Sequence, residues 1–166
     1  MTASKPDLYR DLAEQLRALL AGEADRIANA ANMAALIFHG LPDLNWAGFY
    51  FRQGQELVLG PFQGKPACVR IPVGNGVCGT AAARAATVPV PDVHDFPGHI
   101  ACDPNSRSEL VVPLLSVFAG TTGEVLGVLD LDSLLLARFD AMDQAGCEQL
   151  VALFVDHHRP RAGARR

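Results

Sequence analysis

The sequence predicts one α+β domain in which helices flank a central antiparallel sheet of about six strands. Apolar residues recur at helical spacing near both ends of the chain, whereas the middle alternates short β-type runs with turns rich in Gly and Pro. A length of 166 residues with 49% hydrophobic content is enough for one buried core. We expect the domain to span residues 1–158 and residues 159–166 to form a basic, disordered tail.

Helices are predicted at both ends of the chain and once in the middle. Leucines recur at helical spacing from residue 8 to residue 20, and Asp7 is the candidate N-cap of that first helix. An alanine-rich second helix covers roughly residues 25–38, and a short helix ends near residue 86. Asp140 is the candidate N-cap of a closing helix that runs to about residue 158.

The strands are predicted from β-type runs that are bounded by turn residues. They are residues 46–51, 56–62, 68–71, 88–90, 109–118 and 124–131. The first two form a hairpin, and the last two form another through a turn at residues 119–123. Pro89 places its strand at an edge of the sheet, because proline cannot donate a ladder hydrogen bond. Residues 91–109 form a long loop, and loops of that length in a small domain are usually functional.

The charge of the chain argues against nucleic acid as a partner. The formal net charge is −4, and four of the fourteen basic residues lie in the tail at 159–166, so the rest of the chain is more acidic still. No run approaches the about 20 apolar residues that a membrane span requires, and no secretory signal is visible at the N-terminus. We therefore expect a cytoplasmic protein, in which four cysteines indicate redox or metal chemistry rather than a permanent disulfide framework.

Cys102 lies in a polar loop between two apolar runs. A buried structural cysteine normally lies within an apolar run, so this position favours a thiolate that is presented to a ligand. Cys68 and Cys78 also lie in loop-like surroundings. His99 would lower the pKa of the Cys102 thiol if it were protonated and close, and an ordinary hydrogen-bonded loop histidine is the alternative. Cys147 lies on the amphipathic last helix and is predicted to be structural.

Three carboxylates and two aromatic residues complete the set of candidate site residues. Asp130 and Asp132 lie two residues apart in an apolar strand, so both project from one face. Neighbouring carboxylates hold a proton near neutral pH and can also bind an ammonium group, and a solvent-facing edge strand is the alternative. Glu109 begins a nearby strand and adds a third carboxylate. Trp46 and Tyr50 share a strand face and could line a pocket, with aromatic core packing as the alternative.

Eight sequence blocks occur in the order found in one known family. They are NWAGFY at 45–50, LGPFQG at 59–64, ACVRIP at 67–72, GVCGT at 76–80, DVH at 92–94, GHIACD at 98–103, SE at 108–109 and GVLDLDS at 127–133. Over roughly residues 30–155 the chain thereby resembles the free methionine-(R)-sulfoxide reductases, enzymes built on a GAF domain. The resemblance implies one GAF-like catalytic domain, with Cys102 as the attacking thiolate, Cys68 favoured over Cys78 as the resolving thiol, and Trp46 in the pocket.

The implied activity is the reduction of free L-methionine (R)-sulfoxide to methionine. This chemistry needs a thiolate that attacks sulfur, a proton donor for the oxygen, and a second thiol that resolves the sulfenic acid. Cys102 supplies the first thiol, and the three carboxylates supply the proton and bind the amino group. The residues alone leave open whether Cys68 or Cys78 is the resolving thiol and which carboxylate carries the proton.

The implied partners are the free sulfoxide and a dithiol protein. Thioredoxin or a similar reductant must clear the disulfide that each cycle produces. No cofactor or resident metal is expected. Gly74-Asn75-Gly76 is too short to indicate a phosphate loop. The resemblance also implies a possible homodimer, an assembly common among GAF domains.

Two other functions are compatible with parts of the sequence. A GAF domain can be a sensor that binds a small ligand without catalysis, although such a module does not need three cysteines in loops. A zinc site could draw on Cys68, Cys78, Cys102 and His99, but the sequence lacks the closely spaced cysteine pairs of structural zinc sites.

Overall fold

A computed structural model describes residues 4–116 and 123–160 of the chain. Its helices are α1 (Lys5–Leu20), α2 (Arg26–Gly40), α3 (Gly76–Arg84) and α4 (Ala141–His157). Its strands are β1 (Leu44–Gln53), β2 (Glu56–Gly64), β3 (Arg70–Pro72), β4 (Val88–Val90), β5 (Ser108–Leu115) and β6 (Val125–Ser133). The strands form one six-stranded sheet in the order β3-β2-β1-β6-β5-β4, and every pair is antiparallel. The predicted α+β class and strand number are therefore confirmed.

The central strand β1 separates two apolar cores. Ala47 and Phe49 point to one face of the sheet and pack with residues of α1, α2 and α4. Trp46 and Tyr50 point to the other face and pack with residues of α3 and the neighbouring loops. This division follows from the two-residue period of a strand, and the alternation predicted from the sequence is confirmed.

The register of β5, β6 and β1 places the predicted acids in adjacent rows of the sheet. Asp132 lies opposite Glu109 of β5 on one side and opposite Trp46 of β1 on the other. Asp130, in the next row on the same face, lies opposite Gly48. A Cβ atom at Gly48 would lie 2.7 Å from the indole ring of Trp46, so glycine leaves the space that this ring occupies.

Several sequence predictions need correction or cannot be compared with the structure. The N-cap of α1 is Ser4 rather than Asp7, because the helix begins earlier than its leucines indicate, and the Ser4 hydroxyl accepts a hydrogen bond from the Asp7 amide. Asp140 caps α4 as predicted.

The hairpin turn at 119–123 lies largely outside the described residues, as do residues 161–166 of the basic tail. Among the helices that are described, none combines the length and apolar character needed to cross a membrane.

Candidate active site

Seven of the eight predicted site residues line one cavity on the α3 side of the sheet. They are Trp46, Tyr50, Cys78, Cys102, Glu109, Asp130 and Asp132. The eighth, Cys68, is joined to Cys102 by a disulfide bond. The fold therefore brings together side chains that come from three strands, one helix and two loops.

The disulfide joins two irregular segments of the chain. Cys68 lies between β2 and β3, and Cys102 lies in the loop between β4 and β5. Their Cα atoms are 5.6 Å apart, within the usual range for a disulfide. Both residues are partly buried, so the bond lies at the edge of the cavity. Two of the three candidate thiols are thus within bonding distance of each other, as resolution of a sulfenic acid requires.

Cys78 has surroundings unlike those predicted. It lies within α3 rather than in a loop, and its side chain is buried. Its Sγ atom is 3.9 Å from Oε1 of Glu109. Burial raises the pKa of the Cys78 thiol well above its ordinary value, and the nearby Asp130 and Glu109 carboxylates raise it further. Cys78 is therefore a protonated thiol at neutral pH, in contrast to an attacking thiolate.

The three acids share one poorly solvated environment. Burial, reinforced by the charges of Asp130 and Asp132, raises the pKa of Glu109 well above its ordinary value. Burial also raises the pKa of Asp132, and the charge of Asp130 adds to that effect. Burial raises the pKa of Asp130 to about 6. Hydrogen bonds with Cys78 and Glu109 lower it and so oppose part of the effect of burial. The cluster thus holds at least one proton near neutral pH.

Little positive charge faces these acids. Burial lowers the pKa of His99, so this ring, with Nε2 3.8 Å from Oε2 of Glu109, is neutral at pH 7. The suggestion that a protonated His99 activates Cys102 is therefore not supported. The Lys65 side chain is 69% exposed and lies 3.8 Å from Asp103, at the margin of the cavity. Among the described atoms, buried Oδ1 of Asp130 has no hydrogen-bond partner.

An aromatic wall forms another side of the cavity. The Trp46 ring stacks on Tyr50, with centroids 5.9 Å apart, and on Phe62 at 5.2 Å. The indole N–H of Trp46 donates to the carbonyl of Lys65 at 3.0 Å, and the Tyr50 hydroxyl donates to the carbonyl of Cys68 at 2.9 Å. The wall is thus apolar toward the cavity and hydrogen-bonded to the segment that carries Cys68.

Asn45, which was not among the predicted site residues, connects β1 to the Cys102 loop. Its side-chain amide donates to Oδ2 of Asp103 at 3.2 Å and to the hydroxyl of Ser106 at 2.9 Å. Both acceptors line the cavity. Asn45 and Asp103 each stand beside a predicted site residue, but 58 positions separate them, so only the fold reveals their contact.

The cavity does not contain the zinc quartet considered from the sequence. Cys68 and Cys102 are bonded to each other, which removes two of its four members. In the described ranges, Cys78, Glu109 and Asp130 bring one potential ligand atom each within 4.8 Å of one another. The same three buried groups could also bind a protonated substrate amine. Its positive charge would offset the cost of burying the carboxylates.

Comparison with known proteins identifies the family. The GAF domain family matches residues 7–156. The free methionine-R-sulfoxide reductase of Escherichia coli is 52% identical over 149 residues, which cover 90% of this chain and 87% of the relative. The enzyme of the same name from Saccharomyces cerevisiae is 43% identical over 157 residues, covering 90% and 85%.

Solved structures show the same relationship. The free methionine-R-sulfoxide reductase of Neisseria meningitidis, determined in complex with its substrate, superposes with a TM-score of 0.87 at 44% identity, covering 95% of this chain and 92% of that one. A GAF protein from Burkholderia vietnamiensis superposes with a TM-score of 0.88 at 60% identity, covering 93% and 96%. By sequence and by fold, the chain belongs to the GAF domain family and, within it, to the free methionine-(R)-sulfoxide reductases.

Proposed function

We propose that this protein reduces free L-methionine (R)-sulfoxide to L-methionine through a thiol–disulfide cycle. One observation carries the proposal: Cys102 forms a disulfide with Cys68 at the edge of a cavity lined by three acids. Sulfoxide reduction requires this combination of a reactive cysteine, a second cysteine within bonding distance and a proton donor.

The first step transfers oxygen from the substrate to the enzyme. The Cys102 thiolate attacks the sulfoxide sulfur, and the cluster of acids donates a proton to the oxygen. The sulfur–oxygen bond of the substrate breaks, methionine leaves, and Cys102 becomes a sulfenic acid. The thiolate, the sulfoxide and one proton are thus converted into the sulfenic acid and the thioether, so Cys102 is oxidised as the substrate is reduced.

Glu109 is assigned as the proton donor and Asp130 as the main partner of the substrate ammonium group. Burial and two neighbouring negative charges favour the protonated form of Glu109. Asp130, with a pKa of about 6, is mostly ionised at pH 7, and its Oδ1 atom has no described partner. Asp132 lies opposite Glu109 as the third acid of the cluster, and the positive charge of a bound ammonium group would favour its ionised form. A residue within a peptide has no free ammonium group, so this arrangement favours the free amino acid.

Cys68 is assigned as the resolving thiol. It is bonded to Cys102 in the structure, whereas Cys78 is buried in α3 beside Glu109. The sulfur of Cys68 attacks the sulfenic sulfur of Cys102, the disulfide forms, and water leaves. Cys78 then contributes to the protonated environment of the cavity rather than to the disulfide.

An external dithiol protein such as thioredoxin completes the cycle. The Cys68–Cys102 bond joins two irregular, partly exposed segments, where a partner thiolate can reach a sulfur atom.

We also propose a cytoplasmic location, because such reductants keep thiols reduced there. A homodimer is proposed as well: Leu134, Leu135 and Leu136 form an exposed apolar run of the kind that a second copy covers.

The decisive experiment is thioredoxin-coupled turnover of free methionine sulfoxide, measured separately for the R and S epimers. We expect turnover of the R epimer only and a loss of at least about 1,000-fold in Cys102→Ser, because the hydroxyl is a far weaker nucleophile than a thiolate. Cys147→Ser is the matched control: its thiol is buried on the opposite side of the sheet, and turnover should stay within about two-fold of wild type.

Equal turnover in Cys102→Ser and the wild type would contradict the proposal. Binding of the sulfoxide without loss of free thiols would instead favour a ligand-sensing GAF domain. A thiol count before and after addition of one equivalent of sulfoxide separates these outcomes, since one turnover converts two thiols into one disulfide.

A further inference from the structure

The aromatic wall holds the segment that carries Cys68 at two points. The Trp46 indole donates to the carbonyl of Lys65 at 3.0 Å, and the Tyr50 hydroxyl donates to the carbonyl of Cys68 at 2.9 Å. Both donors belong to β1, which is paired on both sides within the sheet. Both acceptors belong to the connection between β2 and β3, where the described backbone has no regular structure. A rigid element therefore fixes an irregular one.

The hydrogen bond from Tyr50 has special value because of its position. Tyr50 is 1% exposed, so its hydroxyl cannot exchange this carbonyl for bulk water. The hydroxyl donates its hydrogen bond to the backbone carbonyl of Cys68, the residue whose sulfur is bonded to Cys102. Burial and the nearby carboxylates raise the pKa of Tyr50, which keeps the hydroxyl protonated as a donor.

We propose that Tyr50 is a positioning residue for the resolving cysteine: its hydroxyl holds the Cys68 backbone where the Cys68 sulfur reaches Cys102, and Trp46 provides a second anchor at Lys65. The aromatic ring of Tyr50 would be sufficient for hydrophobic contact with a substrate. The hydroxyl instead assists the step that follows the release of methionine, in which Cys68 resolves the sulfenic acid of Cys102. For that step, the inference rests on the proposed function.

The step that Tyr50 assists is the formation of the disulfide. The Cys68 sulfur attacks the Cys102 sulfenic sulfur, an S–S bond forms and the S–O bond breaks. The oxygen leaves as hydroxide and takes the thiol proton of Cys68 to become water. The sulfenic sulfur is reduced, the Cys68 sulfur is oxidised, and no other reactant is needed.

The expected effect is moderate because the hydrogen bond aligns the reacting groups without taking part in bond formation. Losing one hydrogen bond to a backbone carbonyl changes an equilibrium by about five-fold. Here the loss should lower the effective concentration of Cys68 near Cys102 by that factor. The fall applies both to the equilibrium for forming the disulfide and to the rate at which the sulfenic acid is resolved.

Tyr50→Phe is the direct test, because it keeps the ring and removes only the hydroxyl. The full-length reduced protein is equilibrated in glutathione buffers of graded oxidation, its free thiols are alkylated, and the Cys68–Cys102 disulfide is quantified by mass spectrometry. We expect the equilibrium constant for this disulfide to fall about five-fold. In a second measurement, one equivalent of methionine sulfoxide is added with a 1,3-dione trap. More Cys102 sulfenic acid should be trapped than in wild type, relative to methionine formed.

Tyr9→Phe is the matched control, since the chain has two tyrosines. The Tyr9 hydroxyl donates a buried hydrogen bond to Asp143 at 2.9 Å on the opposite side of the sheet. Its loss should lower the stability of the fold without changing the disulfide equilibrium. Equal changes in the two variants would indicate general loosening and overturn the proposal.

A wild-type disulfide equilibrium in Tyr50→Phe would also overturn the positioning role. Should that variant fail to fold, Trp46→Phe loses the hydrogen bond to Lys65 and is measured in its place. A wild-type equilibrium there would overturn the anchoring of the Cys68 segment by β1, on which the role of Tyr50 depends. The glutathione measurement involves no sulfoxide. A shifted equilibrium with no methionine formed would therefore refute the proposed activity and leave the positioning role standing.

Discussion

Asp143 and Asp130 are buried on opposite faces of the sheet, and their surroundings are opposite in character. Asp143, 1% exposed on the side of α1 and α4, accepts hydrogen bonds from Lys5 at 2.6 Å, Arg138 at 3.0 Å and the Tyr9 hydroxyl at 2.9 Å. Asp130, 7% exposed on the α3 side, has two other acids for neighbours and an oxygen without a described partner.

The contrast separates a structural role from a functional one. Two cations and a hydroxyl offset the cost of burying Asp143, so this acid connects α1 and the residues before α4 to the fold. Among the described residues no cation pairs with Asp130, and hydrogen bonds with Cys78 and Glu109 offset only part of the cost of its burial, so the fold holds this charge at a cost. A substrate ammonium group would supply the missing partner, which is why the poorly compensated acid marks the site.

Asp130→Asn should have the largest effect on function. We expect kcat/KM for free methionine (R)-sulfoxide to fall about 100-fold, because a buried carboxylate that pairs with the ammonium group becomes a neutral amide. Most of the loss should appear in KM, and the free energy of unfolding should not fall, since a poorly compensated buried charge is removed. Steady-state kinetics and urea unfolding measure the two quantities. Unchanged kcat/KM would remove Asp130 from the proposed ammonium site.

Asp143→Asn should have the reverse effect. Removing one charge of a buried ion-pair network costs about 3 kcal/mol, because Arg138 loses its charged partner in a buried setting. Turnover per folded molecule should remain near that of wild type, since Asp143 lies on the face of the sheet opposite the cavity. Urea unfolding at neutral pH tests the loss. A large fall in turnover with little loss of stability would contradict the division of roles between the two faces.

The two faces should also respond differently to pH, with smaller effects. Burial raises the pKa of Asp130 to about 6, above the value of about 3.9 for an unfolded chain. The contribution of Asp130 to the free energy of unfolding is therefore greatest below pH 4 and is lost as pH rises to about 6. The opposite sign applies to Asp140 on the other face. Its hydrogen bond with Lys5 lowers its pKa to about 2, so that contribution is lost as pH falls from about 4.

The free energy of unfolding of wild type and Asp130→Asn, compared from pH 4 to pH 7, tests the first of these directions. As pH rises, the free energy of unfolding of the wild type should fall relative to that of the variant, because only the wild type must ionise this buried acid. A difference that is independent of pH would show that Asp130 titrates alike in the folded and unfolded chains.

Local patterns accounted for much of the fold but misplaced some details. The alternation of Trp46, Ala47 and their neighbours predicted the two faces of β1, because a strand has a period of two. The pattern around Cys78 was less informative: Gly76 and Gly79 flank it, and glycine favours turns over helices, yet α3 includes both residues. The Asn45 contact with Asp103 was missed because no local period relates residues so far apart.

By itself, the sequence determined the α+β class, the alternating faces of the strands and the inventory of thiols and acids, because these depend on residue type and short-range spacing. Only the tertiary structure decided that Cys68 rather than Cys78 is bonded to Cys102. It also decided that Lys5 and Arg138 pair with Asp143, whereas no cation in the described part of the chain pairs with Asp130. Disulfide geometry and the electrostatic cost of burial depend on distances of a few ångströms between segments that are remote in the chain.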